Sequence, residues 1–197
     1  TVLIFMKTLI IIFFLFFSST LFAEDISDFQ IEGISVGDSL LDYFTETQIL
    51  KNKRNYLEGK RKFYVVGTGN LNLKTYDSVD IYLKRNDKHY LVHRFIAFIF
   101  FKKNFNKCKI KQKEIIDNFN LLLKNWEIVE QDTTHPYDSS GLSKVNRVVY
   151  SLNSDYVAVE CLNWSNAIEK KNPGWTDNLN VKIVNEEVND WMDSGYP

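Results

Sequence analysis

The strongest constraint on the fold is a pair of alternating apolar runs, Val145 to Leu152 and Tyr156 to Trp164, joined only by Asn153-Ser154-Asp155. So short a connection returns the chain antiparallel to itself, because a parallel crossover needs a dozen residues or more. The pattern recurs upstream. Val79, Ile81 and Leu83 alternate with Asp80, Tyr82 and Lys84, and after Asn86-Asp87-Lys88 the chain resumes as Tyr90 to Phe101, which predicts a second hairpin. Phe63 to Val66, stopped by Gly67 and Gly69, and the alternating Leu179, Val181 and Ile183 add further strands, and Phe29 to Ile34 reads as a short lead-in strand. Within the second hairpin the run Phe95 to Phe101 is too short to span a membrane and suits a strand covered on both faces. Arg94, Lys102 and Lys103 flank it as gatekeepers against aggregation.

Helical spacing appears in four places. Ile115, Ile116, Phe119, Leu122 and Leu123 form the clearest stripe. Ser35 followed by Asp38 predicts a capped helix with Leu40, Leu41 and Phe44 on one face, and Thr45 followed by Gln48 is a capping box for a turn through about Leu50. Asn185 caps a last helix that turns Val188, Trp191 and Met192 inward. Lys51 to Lys62 and Asp132 to Lys144 read as polar loops. Helix, long loop and hairpin thus occur twice in order, and the fold class expected is α+β, a mainly antiparallel sheet with helices packed on one face.

The first residues address the chain. Lys7, the apolar run Leu9 to Phe17, and Ser18 to Ala23 before Glu24-Asp25 follow the order of a secretory signal peptide. Residues 1–23 are therefore expected to be a signal peptide, with Met6 as the start and residues 1–5 upstream of it, and residues 24–197 a single domain that is periplasmic or secreted. In an oxidising compartment Cys108 and Cys161 have one intramolecular pairing open to them, and a disulfide is expected; two buried free thiols are the alternative. Lys and Arg number 24 against 25 Asp and Glu, a net charge of -1, which gives no reason to expect a nucleic-acid partner.

The order of elements, with Gly33, Gly37 and Ser39 at the first helix, resembles the small exported domains of the β-lactamase inhibitory protein type and of the small lipoprotein of the outer-membrane assembly machinery. The stretch Ile31 to Phe44 also resembles the opening of an exported family of small AT-rich bacterial genomes, in keeping with 19 Asn beside 4 Ala. That resemblance implies export and brings no activity with it.

Gly37-Asp38-Ser39-Leu40 resembles the nucleophile block of the GDSL-type (SGNH) esterases, Gly67-Thr-Gly-Asn70 their oxyanion-hole block, and Asp132-Thr-Thr-His135-Pro136 their Asp-x-x-His-Pro block. The resemblance implies Ser39 as nucleophile, His135 as base, Asp132 as its orienter and Asn70 as an oxyanion donor. The chain departs from that family at Leu71, where an Asp belongs, in the hairpin and strand that follow His135, and in its antiparallel turns, where the family needs a parallel sheet.

No Cys or His cluster has zinc spacing, and His89 with His93 fall on a strand and its turn, so no metal or other cofactor is expected. Asp138-Ser-Ser-Gly141 suits an anion site or an Asx-turn. Lys102, Lys103, Lys107, Lys109, Lys111 and Lys113 suit either an anionic partner or a solvated basic face. Of the four tryptophans, Trp175 in Asn172-Pro-Gly-Trp-Thr-Asp177 is the expected exposed anchor, and Trp126, Trp164 and Trp191 are expected in the core. The function expected is non-enzymatic binding of an envelope protein or anionic surface, with a small esterase centred on Ser39 as the alternative.

Overall fold

The predicted hairpins form and merge into one seven-stranded sheet, in a computed structural model that describes residues 25–54, 61–68 and 73–195. The expected signal peptide lies outside the described residues. A two-stranded ribbon comes first, β1 (Gln30–Ile31) and β2 (Ile34–Ser35), turning through Glu32 and Gly33 at φ 55° and 85°. Then follow α1 (Glu46–Lys51), β3 (Phe63–Gly67), β4 (Ser78–Lys84), β5 (Val92–Phe100) and α2 (Phe105–Leu122). The second half comprises β6 (Glu127–Thr134), β7 (Lys144–Leu152), β8 (Asp155–Asn163), α3 (Asn166–Lys171), β9 (Asn178–Val184) and α4 (Glu186–Asp193). The sheet runs β3-β4-β5-β9-β8-β7-β6 with every pairing antiparallel, an α+β architecture.

Local chemistry explains most boundaries. Thr45 and Gln48 close the expected capping box on α1, Asn185 accepts from the Val188 N–H at the start of α4, and Asn153 at φ 55° makes the tight turn between β7 and β8. The helix expected after Ser35 does not form. Ser35 lies in β2, and Ser39 caps a single 3-10 turn, Leu40–Asp42. The backbone groups a helix would need are already used: the Gly37 and Leu40 N–H groups donate to the Val92 and Tyr90 carbonyls at the start of β5. The loop expected from Asp132 to Lys144 is shorter, because β6 runs along β7 to Thr134. As an edge strand exposed on both faces, β6 carries no apolar alternation to read.

The two faces of the sheet are covered differently, which corrects the expectation of helices on one face. Ile81, Phe95, Val159, Val181 and Tyr150 point to one side, where α2 and the β1–β2 ribbon enclose an apolar core. The expected disulfide joins Cys108 of α2 to Cys161 of β8, with Cα atoms 5.9 Å apart. Phe29 packs edge-on against Phe119 and Trp126, closing the rim of this face. On the other side, α4 sets Val188 and Trp191 on Phe63, Val65 and Tyr82, and α3 sets Ile168 on Val145 and Leu162. Among the described residues, no helix lies over the strip between α3 and α4. The expectation that Phe95 to Phe101 is covered on both faces fails for that reason: Phe95 and Ala97 are fully buried, while Phe100 is 40% exposed.

Candidate binding cleft

At the α3 end of this open strip lies a cleft of about 580 Å³, within the range of roughly 300–1,000 Å³ typical of small-molecule sites. One wall is aromatic. Trp164, just after β8, packs against Trp175 at a ring-centroid distance of 4.7 Å, and Tyr137 stands 5.2 Å from Trp175. Phe98 and Phe100 of β5, with rings nearly parallel at 13°, line the cleft across from them. Polar groups complete it: Arg54, Ser78 and Asp80 from the β3–β4 side, and Thr176 and Asn178 at the start of β9.

The Trp175 loop is held by hydrogen bonds that its sequence supplies. Ser165 accepts from the Ile168 N–H at the start of α3, Asn172 donates to the Ile168 carbonyl at its end, and Gly174 adopts φ 98° where a side chain would be strained. The Trp164 N–H donates to the Asp177 carboxylate at 2.9 Å, and the Phe101 N–H to the Asp177 carbonyl. Burial pushes the Asp177 carboxyl above its ordinary value despite that bond. Behind Trp164, Asp138 accepts from the N–H and hydroxyl of both Ser140 and Ser143, and the Ser143 hydroxyl accepts from the Ser165 N–H. These hydroxyl bonds hold the Asp138 carboxyl far below the usual carboxylate range. The stretch Asp138 to Gly141 is thus an Asx-turn that ties the β6–β7 loop to the aromatic wall.

Arg54 is placed by a glycine. A Cβ at Gly67 would lie 2.1 Å from Arg54 Nε, so the bare backbone of β3 is what lets the guanidinium lie on the strip. There its Nε is 3.5 Å from the Asp80 carboxylate. Further along the strip, Lys182 pairs with Glu160 at 2.6 Å, and burial lowers the Lys182 pKa. Beside the cleft, Asn180 is 3% exposed; its amide donates to Asn178 Oδ1, and its own Oδ1 accepts from no group among the described residues.

The described residues of the esterase alternative do not converge. Ser39 bridges to Leu91 and its hydroxyl donates to the His89 carbonyl at 2.6 Å, at the end of β5 nearest α4. His135 follows β6, four strands away and at the opposite end, on the order of 30 Å from Ser39 at ordinary strand spacing. Asp132 is paired with Asn146 at 2.6 Å, and His135 packs at a tilt against Trp164 at 4.4 Å, where burial lowers its pKa. Asn70 lies outside the described residues. A serine hydroxyl that far from His135 cannot pass its proton to that ring.

The lysines sit apart from the cleft and largely face partners. Lys102 and Lys103 occupy the turn before α2 at positive φ, with Lys103 near Glu169 at 3.3 Å. On α2, Lys111 pairs with Glu114 and Lys113 with Asp117, each at 2.8 Å, and Lys109 donates to Asn146; Lys107 lies in the first turn. No group of three or more His, Cys, Asp or Glu able to hold a metal occurs among the described residues, and none of their helices is long and apolar enough to cross a membrane.

Trp175 is 41% exposed, whereas Trp126, Trp164 and Trp191 are buried. Its partners escaped sequence reasoning because Arg54, Asp80, Phe98, Phe100 and Asn178 come from four separate segments. The usable signal was the strand parity of Phe98 and Phe100, which sets them opposite Phe95 and Ala97. No protein-family model, curated protein or solved structure matches this chain.

Proposed function

We propose that the protein is exported and acts without catalytic chemistry, holding a component of the cell envelope in the cleft beside Trp175. The observation that carries this reading is the open strip itself. Strands buried on one face by a helix and a disulfide expose, on the other, Trp175 and Phe100 around buried polar groups, an arrangement that suits recognition better than packing. The hydrolase alternative would need Ser39 beside His135, whereas its hydroxyl is held on the His89 carbonyl four strands away.

The test is sedimentation of the purified, disulfide-bonded protein with isolated bacterial envelopes, beside Trp175→Ala. Retention lost in the variant, with an unchanged melting temperature, is the expected result. Equal retention of both proteins removes the cleft as the binding site.

A further inference from the structure

Resting on that binding role, we infer that the cleft takes a neutral saccharide of mono- or disaccharide size, its apolar face on Trp175 and its hydroxyl edge toward Arg54, Asp80 and Asn178. The first argument is the pairing of surfaces. Aromatic faces are electron-rich and attract polarised C–H groups, and here the Trp164–Trp175 wall faces the stacked Phe98 and Phe100. A pyranose ring has one face of C–H groups and an equator of hydroxyls. A lipid chain would satisfy the aromatic walls but strip water from the half-exposed Arg54 guanidinium without offering it a hydrogen bond, which is costly.

Charge narrows the choice further. Arg54 and Asp80 offset one another at 3.5 Å, so the polar side of the cleft favours neither an anion nor a cation. Arg, Asp and Asn side chains are planar and offer two donors or acceptors side by side, a spacing that adjacent ring hydroxyls match in pairs. The Gly67 backbone is shaped to the Arg54 guanidinium, so this donor is built in place. Asn178 donates to the Thr176 carbonyl and accepts from the Asn180 amide, so its side chain is fixed at the cleft wall.

The experiment is titration of the disulfide-bonded protein with N,N′-diacetylchitobiose, cellobiose and maltose, followed by tryptophan emission and by calorimetry. At least one of these sugars is expected to bind with a dissociation constant in the millimolar range or tighter. Trp175→Ala is expected to weaken that binding about tenfold or more. Gly67→Ala displaces the flexible end of Arg54 while leaving the strand intact, and is expected to weaken it by a similar factor with melting behaviour retained. Binding by none of the three sugars, or binding indifferent to both substitutions, overturns the saccharide assignment. If the sugars fail while envelope retention still depends on Trp175, the ligand is of another class, such as a peptide, and the cleft keeps its binding role. If retention is indifferent to Trp175 as well, both fall.

Discussion

The same strands present two surfaces that have been finished in opposite ways. On the α2 side, Ile81, Phe95, Val159 and Val181 meet a helix pinned by a disulfide, and the core is apolar. On the other, the described helices α3 and α4 cover the two ends, and between them lie Arg54, Asp80, Glu160, Lys182 and a cleft with aromatic walls. Because side chains alternate strictly along a strand, neighbours such as Phe95 and Phe98 belong to different worlds. Stability is concentrated on the first surface and chemistry on the second, so substitutions should separate the two.

The largest separation is expected from the disulfide. Replacing Cys108 and Cys161 by Ser releases a loop with a sequence separation of 53, which costs about 4 kcal/mol in unfolded-state entropy. Two hydroxyls left in fully buried positions add to that loss. Urea denaturation of oxidised wild type and the double variant reads this directly. A loss below about 1 kcal/mol would mean that α2 is held by packing alone and that the closed face does not depend on its staple.

Next in size is the contrast within β5. Phe95→Ala empties a fully buried site and is expected to cost about 3 kcal/mol. Phe98→Ala removes a partly exposed ring and is expected to cost about 1 kcal/mol, while weakening whatever the cleft holds. Equal costs at the two positions would erase the distinction between the faces.

How far these surfaces were legible beforehand follows from the period of each signal. The strands β4, β5, β7, β8 and β9 and the capped ends of α1 and α4 declare themselves through alternation and side-chain caps, which act within a few residues. The edge strand β6 is wet on both faces and α3 is six residues long, so neither has a periodic pattern. The turn at Ser39 hid because its helix-like cap is outweighed by backbone bonds to β5, some 50 residues on. Trp175 stood out through its Pro-Gly loop. Arg54 gave no such sign, since its place depends on a glycine in a strand it only touches after folding.

A smaller effect is expected from acid, and it falls on the open face. His93 is packed against Phe63 at 5.2 Å, with Glu187 at 3.4 Å and Lys62, Lys84 and Asp87 nearby, and burial lowers its pKa from 6.5. Burial against Trp164 lowers that of His135 in the same direction. In both, the folded protein prefers the neutral ring, so the unfolded chain takes up protons first. Their contribution is complete above pH 6.5 and is lost as the pH falls through the folded values. Urea midpoints between about pH 7.5 and 5, above the usual carboxylate range, should therefore decline on acidification and flatten in His93→Gln with His135→Gln. A rise on acidification would mean that the Glu187 carboxylate, 3.4 Å away, favours the protonated His93 ring by more than burial disfavours it.

The smallest effect is expected on the outer side of α2, where lysines crowd the N-terminal half against the helix dipole. Lys113 and Asp117 are 74% and 59% exposed at their side chains and pair across one helical turn. An exposed pair of this kind contributes at most about 0.5 kcal/mol, because water and salt screen it and two long side chains lose freedom to form it. A double-mutant cycle on Lys113→Ala and Asp117→Ala, run at low and high salt, isolates the coupling. A coupling that vanishes in high salt leaves these lysines as a solvated counterweight to the acidic residues around them. One that exceeds about 1 kcal/mol and survives salt would make the outer side of α2 a built surface in its own right. The division between a closed, structural face and an open, binding face would then need a third region.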